Sequence, residues 1–316
     1  MARANAAYYA RHDPFADFTT APEISQAFGE VLGLWAAVTW QSMGSPAAVL
    51  LAEAGPGRGT LMRDALRAIR RMVPDFAAVL SIHLVETSPR LRAAQAGLVP
   101  DATWHDRIED LPAGPLLLLA NEFLDALPIR QFIRRGDRWT ERFVADAVFV
   151  ELPAPDPGRP AADGETVEIA EAATALIAHL AHRLAQTGGA ALFVDYGPAV
   201  SAPGDSLQAL RDGKPADPLA DPGSADLTAH VDFGSLAATA QAAGATPHGP
   251  IPQGIFLTRL GLVQRTGALA RTQPPARAGA FIQAASRLIE PELMGRLFKA
   301  LAICHPDLPT PPGFAA

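Results

Sequence analysis

The 316-residue sequence predicts an α/β fold built on a parallel sheet. Three observations point there. Apolar runs at residues 49–52, 80–85, 116–120 and 190–194 have the length of fully buried strands. Each run stops at acidic or amide residues: Glu53, Glu86, Asn121-Glu122 and Asp195. Segments with helical patterning lie between the runs, and that alternation produces βα units.

Taken in order, residues 1–20 read as irregular, with a turn at Asp13-Pro14. A helix then begins at Ala21, with Pro22 suited to a first helical position and Glu23 to the positive dipole end. Ile24, Phe28, Val31, Leu32 and Trp35 share one face of it. Glu23 has two readings: dipole compensation, or a cap residue lining a ligand site.

The next stretch organises the chain: Val49-Leu50-Leu51-Ala52-Glu53-Ala54-Gly55-Pro56-Gly57-Arg58-Gly59-Thr60-Leu61. It reads as a buried strand, a tight turn and a helix start, with the helix running to about Met72. Glycines allow close backbone approach, and the free N–H groups of a helix start suit an anionic group. The strand at residues 80–85 ends in Glu86, an acid that can accept bonds from both hydroxyls of a ribose. A dinucleotide fold also places an acid there. The G-x-G-x-G spacing and Glu53, two residues before the first glycine, favour S-adenosylmethionine, because a carboxylate attracts the ammonium of its methionine end and repels a pyrophosphate. A dinucleotide site and a plain glycine turn remain the alternatives.

Residues 89–96 read as a short helix capped by Ser88, and residues 102–104 as a third strand followed by His105-Asp106. Asp106 falls where a side chain can touch an adenine, whereas Trp104 reads as core. The run 116–120 ends in Asn121-Glu122-Phe123-Leu124-Asp125-Ala126-Leu127-Pro128. Polar residues past a central strand sit where α/β sheets place their chemistry. Asn121 or Asp125 also fits a simple helix cap. Residues 131–144 read as a β-hairpin, 153–164 as a loop, 166–184 as a long helix ending at Gly188-Gly189, and 190–194 as a strand tipped by Asp195-Tyr196-Gly197. The Pro-, Gly- and Asp-rich stretch 198–225 reads as a long loop of the lid or binding kind. Residues 226–234 close it, a helix runs to about Ala243, helices follow at 253–260 and 276–288, and residues 298–304 form a last strand.

Apolar residues make up 49% of the chain and charged residues 19%, enough for a packed core. A net charge of −7 argues against nucleic acid as a partner. The single cysteine, Cys304, excludes an intramolecular disulfide and fits a reducing compartment. No signal peptide or membrane-length apolar run is seen, so the expectation is a cytoplasmic bacterial protein without membrane insertion. The histidines are scattered, and no metal is expected.

Several motifs together resemble one family. They are Asp17-Phe18-Thr19-Thr20-Ala21-Pro22-Glu23-Ile24-Ser25-Gln26, the glycine turn from Glu53 to Thr60, His83-Leu84-Val85-Glu86-Thr87-Ser88-Pro89, and Asn121 to Pro128. Val194-Asp195-Tyr196-Gly197, Asp226-Leu227-Thr228-Ala229-His230-Val231-Asp232-Phe233 and Gln253-Gly254-Ile255-Phe256-Leu257 complete the set. The chain resembles the MidA-like S-adenosylmethionine-dependent methyltransferases from about Tyr8 to Lys299. The resemblance implies a Rossmann-like seven-stranded methyltransferase sheet in a single domain over residues 1–316, with 129–165 and 198–229 inserted as a smaller lobe over the site. It implies methylation of an arginine ω-nitrogen on a protein substrate of the kind found among respiratory complex I core subunits, and it allows a homodimer. Family members carry a helical lead before the position of Tyr8-Tyr9, where this chain begins, so residues 1–20 are expected to pack poorly.

On this reading the cofactor falls to Glu53, Gly55, Pro56, Gly57, Gly59, Thr60, Leu61, Glu86, Thr87, Ser88, Asp106, Asn121 and Glu122. Catalysis falls to Glu122 and Asp125, with Asp195 and His230 as orienting groups or proton acceptors. Glu23, Phe123, Tyr196, Asp232 and Phe233 face the substrate. A carboxylate can grip a guanidinium through two hydrogen bonds and align one nitrogen. His230 also reads as a solvated residue at a helix entry. Two other classes stay open: methylation of a small molecule or another side chain, and a non-catalytic assembly factor that keeps the cofactor site for stability. The glycine spacing disfavours a nicotinamide-dependent oxidoreductase.

Overall fold

The computed structural model describes residues 1–11 and 19–315. The Asp13-Pro14 turn and the Asp17-Phe18 start of the first motif lie outside these residues. The chain opens with α1 (Ala2–Arg11), in place of the irregular, poorly packed lead that the sequence suggests. Alanine-rich composition favours the helix, and Asn5 and Tyr8 are buried against the rest of the molecule. The helix expected from Ala21 is divided into α2 (Ala21–Ile24) and α3 (Gln26–Ser42), because Ser25 between them is extended.

The glycine turn joins β1 (Val49–Ala54) to α4 (Thr60–Met72), as the patterning predicts. Then follow α5 (Pro74–Val79), β2 (Leu80–Val85), α6 (Pro89–Leu98), β3 (Thr103–His105) and β4 (Leu116–Asn121). The hairpin is larger than its sequence signal: β5 (Arg130–Arg135), β6 (Arg138–Ala145), β7 (Val148–Ala154) and β8 (Thr166–Ile169) form an antiparallel sheet in the order β7-β6-β5-β8. The long helix therefore begins later than its patterning suggests, as α7 (Glu171–Thr187). Thr166-Val-Glu-Ile pairs with β5 instead, as its β-branched residues favour.

Next come β9 (Gly189–Tyr196), β10 (Gln208–Arg211), β11 (Lys214–Ala216) and β12 (Asp226–Thr228). The last three form a small antiparallel sheet, and two of them, β10 and β11, lie within the segment 198–225 expected to be loop. Asp212 and Gly213 both take positive φ at its turn, a hairpin signal that the Pro- and Gly-rich composition hides. The chain ends with α8 (Phe233–Ala242), β13 (Thr246–Pro252), α9 (Gln253–Arg259), α10 (Leu262–Ala270), α11 (Pro275–Ile289) and β14 (Phe298–Cys304).

Seven strands form the main sheet in the order β13-β14-β9-β4-β1-β2-β3. β3, β2, β1, β4 and β9 are parallel, while β14 runs antiparallel between β9 and β13. Strand order reverses at β1, which pairs with both β2 and β4, and ligands bind at such a switch point. One face of the sheet packs on α3, α4 and α9, the other on α7 and α8. Gly33 lets α3 touch α4: a Cβ there would lie 2.7 Å from the Ala65 backbone. Among the described residues no helix is long and apolar enough to cross a membrane.

Candidate functional site

The strand ends of β1, β2 and β4 open into a cavity of about 520 Å³. Glu53, Gly55, Pro56, Gly57 and Thr60 line it from the glycine turn. Glu86, Thr87, Ser88 and Asp106 line it beyond β2 and β3, and Asn121, Glu122 and Phe123 beyond β4. Glu23, expected to face the substrate, lines this cavity from the first turn of α2 and accepts the Thr60 hydroxyl at 2.5 Å.

Two cofactor residues expected from the motif stand elsewhere. Leu61 is buried in the core beneath the sheet, because it starts the inward face of α4. Gly59 serves the turn itself: its φ is +85°, it caps α4, and its missing side chain faces Gln95 on α6.

The cavity's acids differ in their bonding. Glu53 is 3% exposed and its Oε2 has no hydrogen-bond partner. Burial pushes its carboxyl up to about 8. Asn121 Oδ1 is likewise buried without a partner. Two buried acceptors facing one cavity suit a cationic ammonium. Glu86 accepts the Ser88 N–H at 2.8 Å through Oε1. Gly55, at φ +63°, leaves the turn open: a Cβ would stand 2.8 Å from the Phe123 ring.

A second cavity, about 630 Å³, adjoins the first across the segment after β4. Leu124 and Asp125 line it, together with Glu168, His230 and Asp232. Asp125 accepts the Tyr196 hydroxyl at 2.8 Å through Oδ2, and its Oδ1 is buried without a partner. Burial and the nearby Asp195 charge hold its carboxyl well above the usual range. Glu122, which lines the first cavity, is in a left-handed conformation, φ +48°, which a non-glycine residue adopts at a cost. Its Oε1 accepts the Ala21 N–H and the Asn121 amide, each at 3.0 Å. Burial raises its carboxyl too.

Three other expected residues take structural positions. Asp195 is 1% exposed and lines neither cavity. Its Oδ2 accepts the N–H groups of Phe123, Leu124 and Asp125 at 3.1, 2.9 and 3.2 Å, and its Oδ1 that of Tyr196. Of the two roles expected for it, this geometry is that of an orienting group, which fixes the loop that bears the other acids. Phe233 is fully buried in the core at the start of α8, so it cannot face a substrate. Asp232 lines the second cavity but also caps α8 and pairs with Arg159 at 3.0 Å. Tyr196 reaches the site through Asp125, and its ring meets His230 edge-on at 5.7 Å. The exposed His230 side chain lines the second cavity, as a solvated helix-entry residue would.

The roof of the first cavity comes from α1, which no sequence motif announces. Asn5 and Tyr9 of α1 line the first cavity. Asn5 donates to the Ala126 and Leu227 carbonyls, and the Tyr9 hydroxyl donates to Asp226 at 2.8 Å. Local signals for this were weak, because nothing in an alanine-rich opening shows what it will cover. Among the described residues no cluster of potential metal ligands forms.

Sheet order, glycine turn and the two orphaned acceptors define a class: the S-adenosylmethionine-binding methyltransferases. The comparisons agree. A family described as S-adenosyl-L-methionine-dependent methyltransferase matches residues 31–251, and the chain belongs to it. It is 36% identical to the mitochondrial protein arginine methyltransferase NDUFAF7 homolog of Drosophila melanogaster, across 94% of this chain and 78% of that one. It is 35% identical to the human mitochondrial protein arginine methyltransferase NDUFAF7, across 91% and 73%. A COG1565 superfamily member from Burkholderia thailandensis, solved with S-adenosyl-homocysteine bound, superposes with a TM-score of 0.80 at 27% identity, covering 95% of this chain and 81% of that one.

Proposed function

We propose that this methyltransferase acts on an arginine side chain of a protein, held in the second cavity against Asp125, with Glu122 on the cofactor side of the same wall. The observation that carries the reading is the wall between the two cavities. Its Asn121-Glu122-Phe123 side faces the cofactor cavity and its Leu124-Asp125 side faces the other. Three carboxylates meet there, Asp125 and Asp195 buried and Glu122 half-buried, and the hydrogen bonds given to them come from neutral donors. Of the three, Asp125 keeps a buried oxygen without a partner, which suits a cationic donor.

The cofactor, when bound, supplies an electrophilic methyl group. Glu53 and Asn121 would hold its ammonium and Glu86 its ribose hydroxyls. Asp125 Oδ1 would accept a guanidinium N–H from the second cavity, and Glu122 would orient a nitrogen from the cofactor side. An arriving guanidinium favours the ionised carboxylates, so substrate binding releases protons held by the empty site. A guanidinium methylated on nitrogen must shed one proton, which these carboxylates can pass to water. Asp195 keeps both acids in register through the backbone.

The names of the relatives support arginine as the acceptor. The family resemblance supports a partner of the complex I core-subunit type, and the single cysteine fits a reducing compartment such as a bacterial cytoplasm. Mass spectrometry of proteins from cells with and without the gene tests the reading. A methylated arginine should disappear on deletion and return with wild type, but not with Glu122→Gln or Asp125→Asn. Unchanged methylation by both variants would refute the assignment of the acceptor site. Methylation confined to small molecules would refute the protein substrate.

A further inference from the structure

We infer that Gln95, on α6, is a positioning residue that sets the ribose-binding carboxylate against the glycine turn. This rests on the reading that Glu86 takes the ribose of the cofactor. Gln95 is fully buried. Its Nε2 donates to the Gly57 carbonyl at 2.7 Å and to Glu86 Oε2 at 3.3 Å, and its Oε1 accepts the Trp104 indole N–H at 2.8 Å.

The orientation of the amide is not arbitrary. An indole N–H only donates and a backbone carbonyl only accepts, so each fixes one end of the group. Both amide protons and the amide oxygen are then engaged. Gly59 adds shape to the bonding: a Cβ there would lie 3.4 Å from Gln95 Cγ, so the turn rests directly on this side chain. Glu86 is gripped on its other oxygen by Ser88, and its carbonyl accepts Arg92 Nε at 2.7 Å.

One buried side chain thus links the turn after β1, the tip of β2 and β3, which is followed directly by the cavity residue Asp106. A shorter amide would not span them, and a carboxylate would repel both Glu86 and the Gly57 carbonyl. The bond to Glu86 also favours the ionised form of that acid, against the upward push of burial.

The test is calorimetric binding of S-adenosylhomocysteine and of its 2′-deoxy analogue to wild type, Gln95→Met, Trp104→Phe and Glu86→Gln. Gln95→Met preserves length and removes the donors. It should weaken S-adenosylhomocysteine about tenfold and lose most of the preference over the 2′-deoxy analogue. In a Glu53→Gln background, which removes the Glu53 limb, the acid limb of the binding profile should move to higher pH, because Glu86 loses a bond that favours its charge. Trp104→Phe keeps Gln95 but frees its carbonyl end, and should show the same changes at smaller size. A purely structural role would weaken both ligands equally. An unchanged preference and an unchanged pH limb in both variants would overturn the inference. If Glu86→Gln kept the ribose preference, the ribose assignment beneath it would fail instead.

Discussion

The strands β1 and β9 have the same local design and opposite outcomes. Each is a buried apolar run that carries an acid near its C-terminal end, Glu53 in one and Asp195 in the other. Both acids are nearly inaccessible. Yet Glu53 keeps an oxygen without a partner beside a cavity, while Asp195 spends both oxygens on four backbone N–H groups. An unsatisfied buried acceptor awaits a ligand, and a satisfied one holds the frame. The strand-then-acid pattern marks the functional edge of the sheet. It does not tell which acid meets the ligand.

Substitution should separate the two roles. The largest effect is expected for Asp195→Ala, which leaves four N–H groups in a buried loop without their acceptor. Urea unfolding should show a loss of about 4 kcal/mol. If stability were unchanged while cofactor binding failed, the contrast would be lost. Glu53→Gln should do the reverse: S-adenosylhomocysteine binding falls about fiftyfold, as expected for losing a charge-assisted bond to an ammonium, and the urea midpoint stays or rises.

pH sharpens the same comparison. The Glu53 carboxyl, raised to about 8, is protonated in the empty folded protein at neutral pH and ionised in the unfolded chain. Its contribution to stability is therefore full below the ordinary carboxylate pKa and is lost as pH rises toward 8. Binding runs the other way, because the ammonium requires the carboxylate. Affinity for S-adenosylhomocysteine should rise with pH up to about 8 and then level, at no more than about tenfold per pH unit. Thermal melts with and without ligand from pH 5 to 9 check both trends, and Glu53→Gln should flatten them.

Smaller effects concern access. Gly55→Ala forces an ordinary residue to positive φ and drives the Phe123 ring into the cavity, so affinity should fall about tenfold with a melting loss near 1 kcal/mol. Tyr9→Phe removes the hydroxyl bond from α1 to Asp226 and should speed ligand release a few-fold in stopped-flow displacement. An unaltered release rate would mean that this bond does not secure the roof.

Much of this was legible in the chain. Strands and helices with strong periodicity stand where patterning puts them, and eleven of the thirteen cofactor positions line the first cavity. Failures have particular causes. β13 contains Pro247, Gly249 and Pro250, which argue against a strand. It is tolerated because it is an edge strand, bulged between His248 and Ile251, and need not donate to a neighbour on both sides. β8 looked helical because four residues are too few to reveal a period against the helix that follows. Phe233 followed a motif toward the substrate, but burial is a property of position in three dimensions.

What the sequence determined by itself was the cofactor end: Glu53, the alternating glycines and Glu86 are adjacent in sequence to the strands that present them. Local backbone geometry is enough to place such groups. Tertiary structure alone decided the other end. Asp125 meets Tyr196 from 71 residues away, and Asn5 meets Leu227 from 222. Contacts at such separations arise from packing and chain closure, which leave no periodic trace in the residues that make them.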